Sequence, residues 1–583
     1  MKVQSRIFTL VLSVALILSF AGFAFADEIT ASAQGFGGEV TVSVVVTDGV
    51  ITSVTAVGDN ETFGIGSNAI EQLPAKIVEA QSIAIDGIAG ATFTSTALLT
   101  AAKEALLAAG MTEEEITREV QAQEVDQTRI ELSADVVVVG AGGAGMSAAL
   151  EALNHGASVI VLEKMPSIGG NTLVAGSAMN ASQPVKQATQ TMPSDRVATV
   201  EAMLALEPQH ELMAVWQAEI ADELDAYKAN NSTFLFDSAA FHKLQTYVGG
   251  DYVADPELIS ILCDQAIEGI YWLEELGAIW KDEIVSVYGS TWTRGHNPTL
   301  DLGTAGASFV MPQYNNFVEK GGQVYVNHRA DELIVEDGRV AGVKGSTSDG
   351  VPFTAYAAKS VVLATGGFSA NEELREHYNE QWPTLIGLDT TNPSSSTGDG
   401  IIMADAIGAN LVSMGWIQLI PYSSNSLTAT IDGSIYVDKE GNRFIAEDER
   451  RDVIAAATID QNEGWFYWLC DRKTVIDELN GISIYGKVIS EMGDGETAFY
   501  ADTLEEIAEQ SGMDYATLQA TVDAYNASVD SGSDPIGRQN LPLKIDEGPY
   551  CMIKSYIMVH HTMGGVQIDD DCQVYNVVGN VIP

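Results

Sequence analysis

The sequence predicts an α/β fold, and three features of residues 134–164 support that prediction. Residues 136–139 are four consecutive valines, as expected for a parallel strand that is buried on both faces. Residues 144–155 have the apolar spacing of a helix, which Gly156 is placed to end. Residues 159–162 form a second short apolar run. A strand, a helix and a second strand in this order predict a βαβ unit of a parallel sheet.

The turn between strand and helix carries the pattern G-x-G-x-x-G at Gly140, Gly142 and Gly145. Glycines at these places allow a tight turn, close approach of a pyrophosphate to the backbone, and close packing of helix on strand. Glu163, directly after the second strand, can accept hydrogen bonds from a ribose. The pattern predicts a dinucleotide site; a glycine-rich turn of another α/β protein is the alternative. The predicted contact residues are Gly140, Gly142, Gly143, Ala144, Gly145, Glu163 and Lys164.

A second glycine-rich stretch follows soon after the acidic residue. It contains Gly169, Gly170, Asn171, Thr172 and Gly176. Such a stretch can wrap a flavin ring with backbone groups. Its position resembles that found in flavoproteins, which implies FAD rather than NAD as the dinucleotide, with these five residues as contacts.

Length and composition limit the possible functions. The 583 residues suggest more than one domain, and 46% hydrophobic with 19% charged residues indicates a globular protein. The formal charge of −51 argues against nucleic acid as a partner. Cys263, Cys470, Cys551 and Cys572 lie far apart without C-x-x-C spacing, so no metal, iron–sulfur or haem site is indicated. Scattered core thiols are favoured over a disulfide between Cys551 and Cys572.

The first 26 residues have the pattern of a secretory signal peptide. Lys2 and Arg6 precede an apolar run over residues 7–23, and Ala-Phe-Ala at residues 24–26 supplies a small-residue cleavage pattern. We therefore expect cleavage before Asp27 and a mature protein that is secreted, periplasmic or at the cell surface. An uncleaved membrane anchor is the alternative, because the apolar run is long.

Residues 27–110 predict a small α+β unit. The alternating stretches 39–46 and 50–56 predict a hairpin around Asp48-Gly49. A helix is expected from about Thr96 onward.

A short motif lies between this hairpin and the helix. Asp86, Gly90, Ala91 and Thr92 match D-x-x-x-G-A-T, and the stretch resembles the FMN-binding domain of sodium-pumping quinone reductases and bacterial fumarate-reductase-like flavoproteins. In that family a flavin transferase attaches FMN to the motif threonine through a phosphoester. The resemblance implies covalent FMN at Thr92, with Thr94 as the second choice. A threonine that only caps the helix is the alternative.

From about Ala134 to its end, the chain resembles the FAD subunit of fumarate reductase in its soluble secreted form. This implies an FAD-binding Rossmann-like domain of the glutathione-reductase type with an inserted α+β capping domain, preceded by the small α+β FMN-binding domain. It also implies FAD contacts at Ala364, Thr365, Gly366 and Asp399. The matching segments are residues 140–145, 169–171, 364–367, 397–400, 438–444, 451–452 and 560–565.

The expected domain order combines this resemblance with a charged linker around Glu113-Glu114-Glu115. The chain stops at Pro583, where the family continues into further motifs, so we expect an incomplete gene, and weak FAD binding with little turnover if the protein ends there. The expected boundaries are 1–26 for the signal peptide, 27–110 for the FMN-binding domain, 111–130 for the linker, 131–413 for the FAD-binding domain, 414–557 for the capping domain and 558–583 for a return to the FAD-binding domain.

The resemblance also implies the chemistry. In the fumarate reductase family, hydride passes from flavin N5 to the β-carbon of an unsaturated acid, and an arginine delivers the proton. Arg451 matches this arginine, with Arg450 as the fallback and a surface ion pair as the alternative. His561 matches a ligand of the substrate carboxylate, beside Thr562 in the expected substrate site. The alternative for His561 is a buried histidine that bonds the backbone.

One departure from the family bears on the substrate. Where fumarate reductases carry His-Pro-Thr, this chain has Ile420-Pro421-Tyr422, so an apolar side chain replaces a carboxylate-binding histidine. Residues 428–432 hold unassigned candidates for recharging the acid. We therefore expect Ile420 and Tyr422 to face an unsaturated monocarboxylate, as in urocanate or cinnamate reductases, rather than fumarate.

The leading hypothesis is an extracytoplasmic reductase with two flavins. Electrons enter at FMN on Thr92, pass to FAD and reduce a carbon–carbon double bond, with a membrane electron-transport protein as the donor. Two alternatives remain. One is a flavin-dependent dehydrogenase or oxidase of the same fold, and the other is an electron carrier in which only the FMN-binding domain works.

Overall fold

The computed structural model describes most of the chain. Its described residues form two compact units, one made of residues 28–61 and 66–118, and the other of residues 62, 64–65 and those from 127 onward. The predicted signal peptide lies outside the described residues, and no helix within them is long and apolar enough to cross a membrane. The described ranges are 28–62, 64–118, 127–176, 178–192, 196–286, 292–299, 304–423, 433–461, 464–477, 482–483, 495–541 and 543–583.

The first unit is an antiparallel three-stranded sheet covered by helices. Val40, Val42 and Val44 are fully buried, because alternate residues of a strand point to the same face. The predicted hairpin around Asp48-Gly49 is confirmed. The elements are β1 (Ile29–Gln34), β2 (Glu39–Thr47), β3 (Val50–Val57), α1 (Gly66–Ala80), α2 (Thr92–Ala108) and α3 (Glu113–Ile116).

Helix α2 begins at Thr92 and not near Thr96 as expected from the sequence. Thr94 and Ser95 are buried in the first turn of this helix. They bond a carboxylate and a backbone N–H of other segments, so they do not mark the helix start. Tertiary partners therefore replace the local capping role that such residues usually have.

Part of the expected linker over residues 111–130 is ordered structure of the first unit. The side chain of Thr112 caps α3 in a capping box with Glu115. The carbonyl of Ile116 accepts a hydrogen bond from the N–H of Ile83. Strand β1, which the sequence analysis did not predict, adds a third strand to the sheet.

The second unit begins with the βαβ unit predicted from residues 134–164. Its elements as far as residue 412 are β4 (Ile130–Val139), α4 (Gly143–Asn154), β5 (Val159–Leu162), α5 (Gly170–Leu173), β6 (Met179–Asn180), α6 (Pro184–Gln187), α7 (Arg196–Leu204), α8 (Glu211–Ala229), α9 (Ala239–Gly249), α10 (Pro256–Glu275), β7 (Trp280–Val285), β8 (Gly295–Pro298), α11 (Ala305–Glu319), β9 (Gln323–Tyr325), β10 (His328–Glu336), β11 (Arg339–Thr347), β12 (Pro352–Leu363), α12 (Glu372–His377), α13 (Asp399–Ala406) and β13 (Leu411–Val412).

A six-stranded sheet in the order β10-β11-β12-β4-β5-β9 is the centre of this part. Strands β12, β4, β5 and β9 are parallel neighbours, and β10, β11 and β12 are antiparallel. Val137 and Val138 of the central strand β4 are fully buried on opposite faces, as the valine run predicted. On one face, Met146 and Leu150 of α4 pack in one cluster with Phe317 of α11.

The rest of the second unit contains helices and strands that overlap the expected capping domain, residues 414–557, whose boundaries stay a prediction. Its centre is an antiparallel sheet in the order β14-β20-β16-β15, with β19 also paired to β20. Strand β21 pairs with β13 and so returns the chain to the earlier part. The elements are β14 (Ile417–Ser423), β15 (Ser434–Val437), α14 (Arg451–Ile459), β16 (Trp465–Asp471), α15 (Arg472–Val475), β17 (Ile476–Asp477), β18 (Ile482–Ser483), β19 (Ala498–Ala501), α16 (Leu504–Ser511), α17 (Tyr515–Ser531), β20 (Tyr550–Thr562) and β21 (Gly565–Val566).

The cysteines are free thiols, as the sequence analysis favoured. Cys551 on β20 lies opposite Cys470 on β16, and both are buried. Cys572 is exposed.

Candidate functional site

A cavity of about 1090 Å³ opens at the carboxyl ends of β4 and β12. This edge of a parallel sheet is where α/β proteins bind ligands. Of the predicted FAD contacts, Gly145, Gly169 and Gly176 are outside its lining. The predicted residues that line it are Gly140, Gly142, Gly143, Ala144, Glu163, Lys164, Gly170, Asn171, Thr172, Ala364, Thr365, Gly366 and Asp399, together with Thr562 from the predicted substrate site.

The glycine turn has the geometry that its pattern predicted. Gly140 has φ +105°, which favours glycine, and a Cβ on Gly145 would lie 1.9 Å from the carbonyl oxygen of Gly140. Gly142 immediately precedes α4, and a Cβ there would meet nothing nearer than the Gly169 oxygen at 3.7 Å. The start of α4 therefore has open space beside its N–H groups, which fits the pyrophosphate of FAD.

The carboxylate of Glu163 is largely committed to the backbone around this turn. Its two oxygens accept hydrogen bonds from the N–H groups of Ala141 at 2.9 Å and Met165 at 2.8 Å. Burial raises the pKa of Glu163 and outweighs the effect of these bonds. Each carboxylate oxygen has a second lone pair, so hydrogen bonding to a ribose stays a prediction.

Lys164 and Asp399 form an ion pair with each other. The Lys164 ammonium donates to Asp399 at 2.8 Å and to Thr397 at 2.6 Å. Arg329, which the sequence analysis missed, approaches the same carboxylate at 3.2 Å. Burial opposes the charged form of Asp399, but the bonds from Lys164 and Thr397 prevail and hold its pKa below the ordinary value. Contacts of Lys164 and Asp399 with FAD stay predictions.

The second glycine-rich stretch fastens to the first. The Thr172 hydroxyl accepts a hydrogen bond from the N–H of Gly143 at 3.1 Å, and the Asn171 amide donates to Ser396 at 3.0 Å. Both stretches and the 364–366 segment thus surround one cavity. These residues would hold FAD, since the cavity joins a helix N-terminus to a floor of small residues.

Arg451 and His561, the two predicted catalytic residues, are joined through Gln418. The Arg451 guanidinium, at the first residue of α14, donates from Nη1 to Oε1 of Gln418 at 3.2 Å. Gln418 on β14 is the cross-strand partner of His561 on β20. The sequence analysis missed Gln418, although it stands only two residues before the Ile-Pro-Tyr segment.

A β-bulge lies at the centre of this arrangement. Gln418 pairs with His561, but the next residue, Leu419, pairs with Val559, which leaves His560 as the extra residue of β20. Bulges of this kind redirect side chains next to functional sites. The rings of His560 and His561 consequently lie with centroids 4.1 Å apart.

Both histidines are held in the neutral form. Nδ1 of His560 shares a hydrogen bond with the Thr391 hydroxyl at 2.6 Å, and burial lowers the pKa of His560 to about 3, with the charge of Arg451 acting in the same direction. His561 has accessible surface, yet the protein around its ring lowers its pKa as well, and the charge of Arg451 adds to this effect. A neutral imidazole keeps one N–H donor, which suits binding of a carboxylate.

Arg450, the fallback proton donor, forms a surface ion pair. Such an ion pair was the alternative role considered for Arg451. Its guanidinium binds both oxygens of Asp251 at 2.7 Å and also contacts Asp452, and its side chain is 49% exposed. These acceptors raise the pKa of Arg450, which makes it a poorer proton donor. The geometry favours Arg451.

The other predicted substrate residues lie on the same two strands, β14 and β20. Gln418, Ile420 and Tyr422 share one face of β14, because alternate strand residues point the same way. Ile420 is only 6% exposed, and burial raises the pKa of Tyr422. The Thr562 hydroxyl accepts a hydrogen bond from the N–H of Phe368 at 3.1 Å. Their contact with substrate stays a prediction, and residues 428–432 lie outside the described residues.

In the first unit, Thr92 is exposed at the first residue of α2. The residue is therefore in contact with solvent. Thr94, the second choice, is 2% exposed and donates its hydroxyl hydrogen to Glu61 at 2.6 Å. The structure therefore favours Thr92 over Thr94, and the attachment itself stays a prediction.

Comparison with known proteins agrees with these two cofactor sites. Residues 135–242 and 224–583 match the FAD binding domain family, and residues 35–107 match the FMN-binding domain family. The NADH:acrylate oxidoreductase of Vibrio harveyi is 33% identical over 581 residues, which cover 95% of this chain and 57% of that protein. The urocanate reductase of Eggerthella lenta is 32% identical over 573 residues, which cover 95% of this chain and 85% of that protein.

A solved structure agrees as well. The open conformation of a flavocytochrome c3 fumarate reductase superposes with a TM-score of 0.59 at 29% identity, over 81% of this chain and 77% of that one. The chain spans little more than half the length of the Vibrio relative. It carries both flavin-binding domains, so FAD and FMN are its cofactors.

Proposed function

This chain belongs to the fumarate-reductase-like flavoproteins with an FMN-binding domain, and on that premise we propose that it reduces the carbon–carbon double bond of an α,β-unsaturated carboxylate. The observation that carries the proposal is the contact of Gln418 with Arg451, opposite His561. It supports the proposal because it puts Arg451 next to the strand pair that carries His561, and these are the residues proposed as proton donor and carboxylate ligand.

Each residue has a defined task in this reaction. Bound FAD supplies the hydride equivalent. Arg451 donates a proton to the carbon next to the substrate carboxylate, and Gln418 holds the donating guanidinium in place. Neutral His561 donates an N–H hydrogen bond to the carboxylate. The positive charge of Arg451 also attracts the anionic substrate. A chain with a formal charge of −51 needs such a local positive charge to bind an anion.

The substrate we favour is a monocarboxylate. Ile420 supplies an apolar wall on the same face of β14 as Gln418, so a second carboxylate would lose its water without gaining a partner there. Two relatives are named for acrylate and urocanate, which are unsaturated monocarboxylates. Both names are consistent with this preference.

The electron path includes the first unit. Thr92 would hold FMN attached by a flavin transferase, and this FMN would relay electrons to FAD. We propose a membrane electron-transport protein as donor and an extracytoplasmic location, in keeping with the pattern of residues 1–26. NADH, which appears in the name of the Vibrio relative, is the other donor to test.

The deciding experiment measures oxidation of reduced viologen by the flavin-loaded chain with acrylate, urocanate, cinnamate and fumarate. We expect turnover with at least one monocarboxylate and less with fumarate. Arg451→Ala should lower kcat by about 100-fold or more, because it removes the proton donor. Arg450→Ala, the matched control, should stay within a few-fold of the unmodified chain.

Two results would contradict the proposal. Absence of turnover with every enoate in a chain that contains FAD and FMN would favour the dehydrogenase or the electron carrier. Loss of turnover in Arg450→Ala with retention in Arg451→Ala would reverse the assignment of the acid.

A further inference from the structure

Two exposed aromatic rings lie beside Thr92 in the first unit. Phe93 is 72% exposed and Phe36 is 59% exposed, with ring centroids 6.2 Å apart. An aromatic pair left in water forgoes the stabilisation that burial of such large side chains gives. Exposed apolar surface next to a cofactor attachment residue therefore calls for an occupant.

A buried carboxylate holds the segments that carry the two rings. Oε1 of Glu61 accepts a hydrogen bond from the N–H of Gly37 at 3.2 Å, and Oε2 accepts one from the Thr94 hydroxyl at 2.6 Å. Gly37 follows Phe36 and Thr94 follows Phe93 in the chain. Glu61 thus fixes the spacing of the two rings. Two rings that met by chance on the surface would not share such a buried link.

The start of α2 adds a place for a phosphate. The helix is 17 residues long, and its first turn contains no acidic residue. Ala91 occupies the N-cap position, and within the described residues no side-chain cap bond is made there. The N–H groups at the start of a helix and the positive end of its dipole favour an anion. A phosphate esterified to Thr92 would lie at this helix end.

We propose that Phe36 and Phe93 form the bed on which the isoalloxazine ring of the FMN attached to Thr92 lies, with its phosphate at the N-terminus of α2. This inference rests on the proposed attachment at Thr92. The segment matching the FMN-binding domain family, residues 35–107, includes both rings. Aromatic side chains suit a flat, partly apolar ring system because offset stacking adds to the burial of surface.

The test uses the full chain produced together with a flavin transferase. Covalent flavin is measured on the denatured protein, and its attachment residue is found by peptide mapping. Iodide quenching of flavin fluorescence is then measured in the native protein, with the signal of Thr92→Ala, which retains only FAD, subtracted. The variants are Phe36→Ala, Phe93→Ala and Phe93→Leu, and Val57→Ala, at an exposed site on β3, is the control.

The phenylalanine variants should retain covalent FMN while their flavin becomes more accessible. We expect the quenching constant to rise by roughly threefold in Phe36→Ala and Phe93→Ala, less in Phe93→Leu, and not at all in Val57→Ala. Unchanged quenching with full FMN would overturn the proposal. Loss of covalent FMN from folded Phe93→Ala would also overturn it, and would assign the rings to contact with the transferase.

Failure of the attachment at Thr92 has a different signature. In that case peptide mapping of the unmodified chain finds the flavin on another residue, whatever the quenching of the phenylalanine variants.

Discussion

His560 is neutral because of where a single extra residue falls in a strand. The bulge that it forms in β20 puts its ring beside His561 and in reach of the Thr391 hydroxyl. Burial there disfavours the charged imidazolium, so the pKa falls to about 3. A histidine of ordinary pKa would be partly charged just below neutral pH. The pair can therefore donate hydrogen bonds without changing charge during turnover.

The lowered pKa of His560 predicts how stability depends on pH. In the unfolded chain the ring takes up a proton near pH 6.5, whereas in the folded protein it stays neutral down to about pH 3. Its contribution to stability is thus complete above pH 6.5 and falls as the pH is lowered, by at most about 1.4 kcal/mol per pH unit. The denaturation midpoint of His560→Gln should fall less steeply than that of the unmodified chain between pH 7 and 5.

Other groups titrate in the same range, so the comparison needs a control. Asn154→Ala, an exposed substitution that changes no titratable group, should leave the pH dependence unchanged. Equal slopes for His560→Gln and the unmodified chain would contradict the prediction.

At the scale of elements, the cavity depends on how closely α4 approaches β4. The two meet where Gly145, in the first turn of the helix, lies against the carbonyl of Gly140. Close packing here sets the position of the helix N-terminus that faces the cavity. Helix α14 is positioned in another way, since its first residue, Arg451, donates a hydrogen bond to Gln418 of strand β14.

Gly145→Ala should therefore release FAD. The added Cβ would come within 1.9 Å of the Gly140 oxygen, which is backbone, so the turn and α4 must move apart. FAD at about 100 times its Kd should stabilise the unmodified chain by about 2.7 kcal/mol, and this gain should be absent in the variant. FAD content and thermal stability with and without added FAD are the measurements.

Asn154→Ala, at the exposed C-terminal end of the same helix, is the matched control. It should bind FAD as the unmodified chain does. Full FAD content in Gly145→Ala would show that the cofactor does not depend on this contact.

At the scale of the whole molecule, the dominant feature is its charge. The 80 acidic residues outnumber the 29 basic ones, and most of the excess has to lie at the surface. Repulsion among these charges destabilises the compact state. Lys164 lines the candidate cavity and Arg451 bonds Gln418 on β14, and contact of either side chain with an anionic ligand stays a prediction.

Salt should stabilise this protein. Raising the ionic strength from 0.01 to 0.15 M shortens the screening length from about 30 Å to about 8 Å, which weakens repulsion between distant surface charges. We expect the melting temperature of the flavin-loaded chain to rise by several degrees, on the order of a few kcal/mol of stability. Sodium chloride is compared with sucrose at equal osmolality. A melting temperature that falls or stays constant with salt would contradict the prediction.

The sequence by itself determined the local features of this protein. The βαβ unit and the hairpin of the first unit are as predicted, because strand period, helix period and glycine turns depend on neighbouring residues. The family motifs also single out Arg451 and His561 without any knowledge of their contacts. The sequence pattern placed the start of α2 about four residues too late, because hydrogen bonds to other segments replace a local cap there.

The tertiary structure alone decided what those residues touch. Gln418 meets Arg451 across 33 positions, Lys164 meets Asp399 across 235, and Arg450 meets Asp251 across 199. Contacts between such distant residues leave no periodic trace in one sequence. The bulge at His560 likewise could not be predicted from the sequence, because a register shift depends on the pairing with the partner strand and not on the residue that bulges.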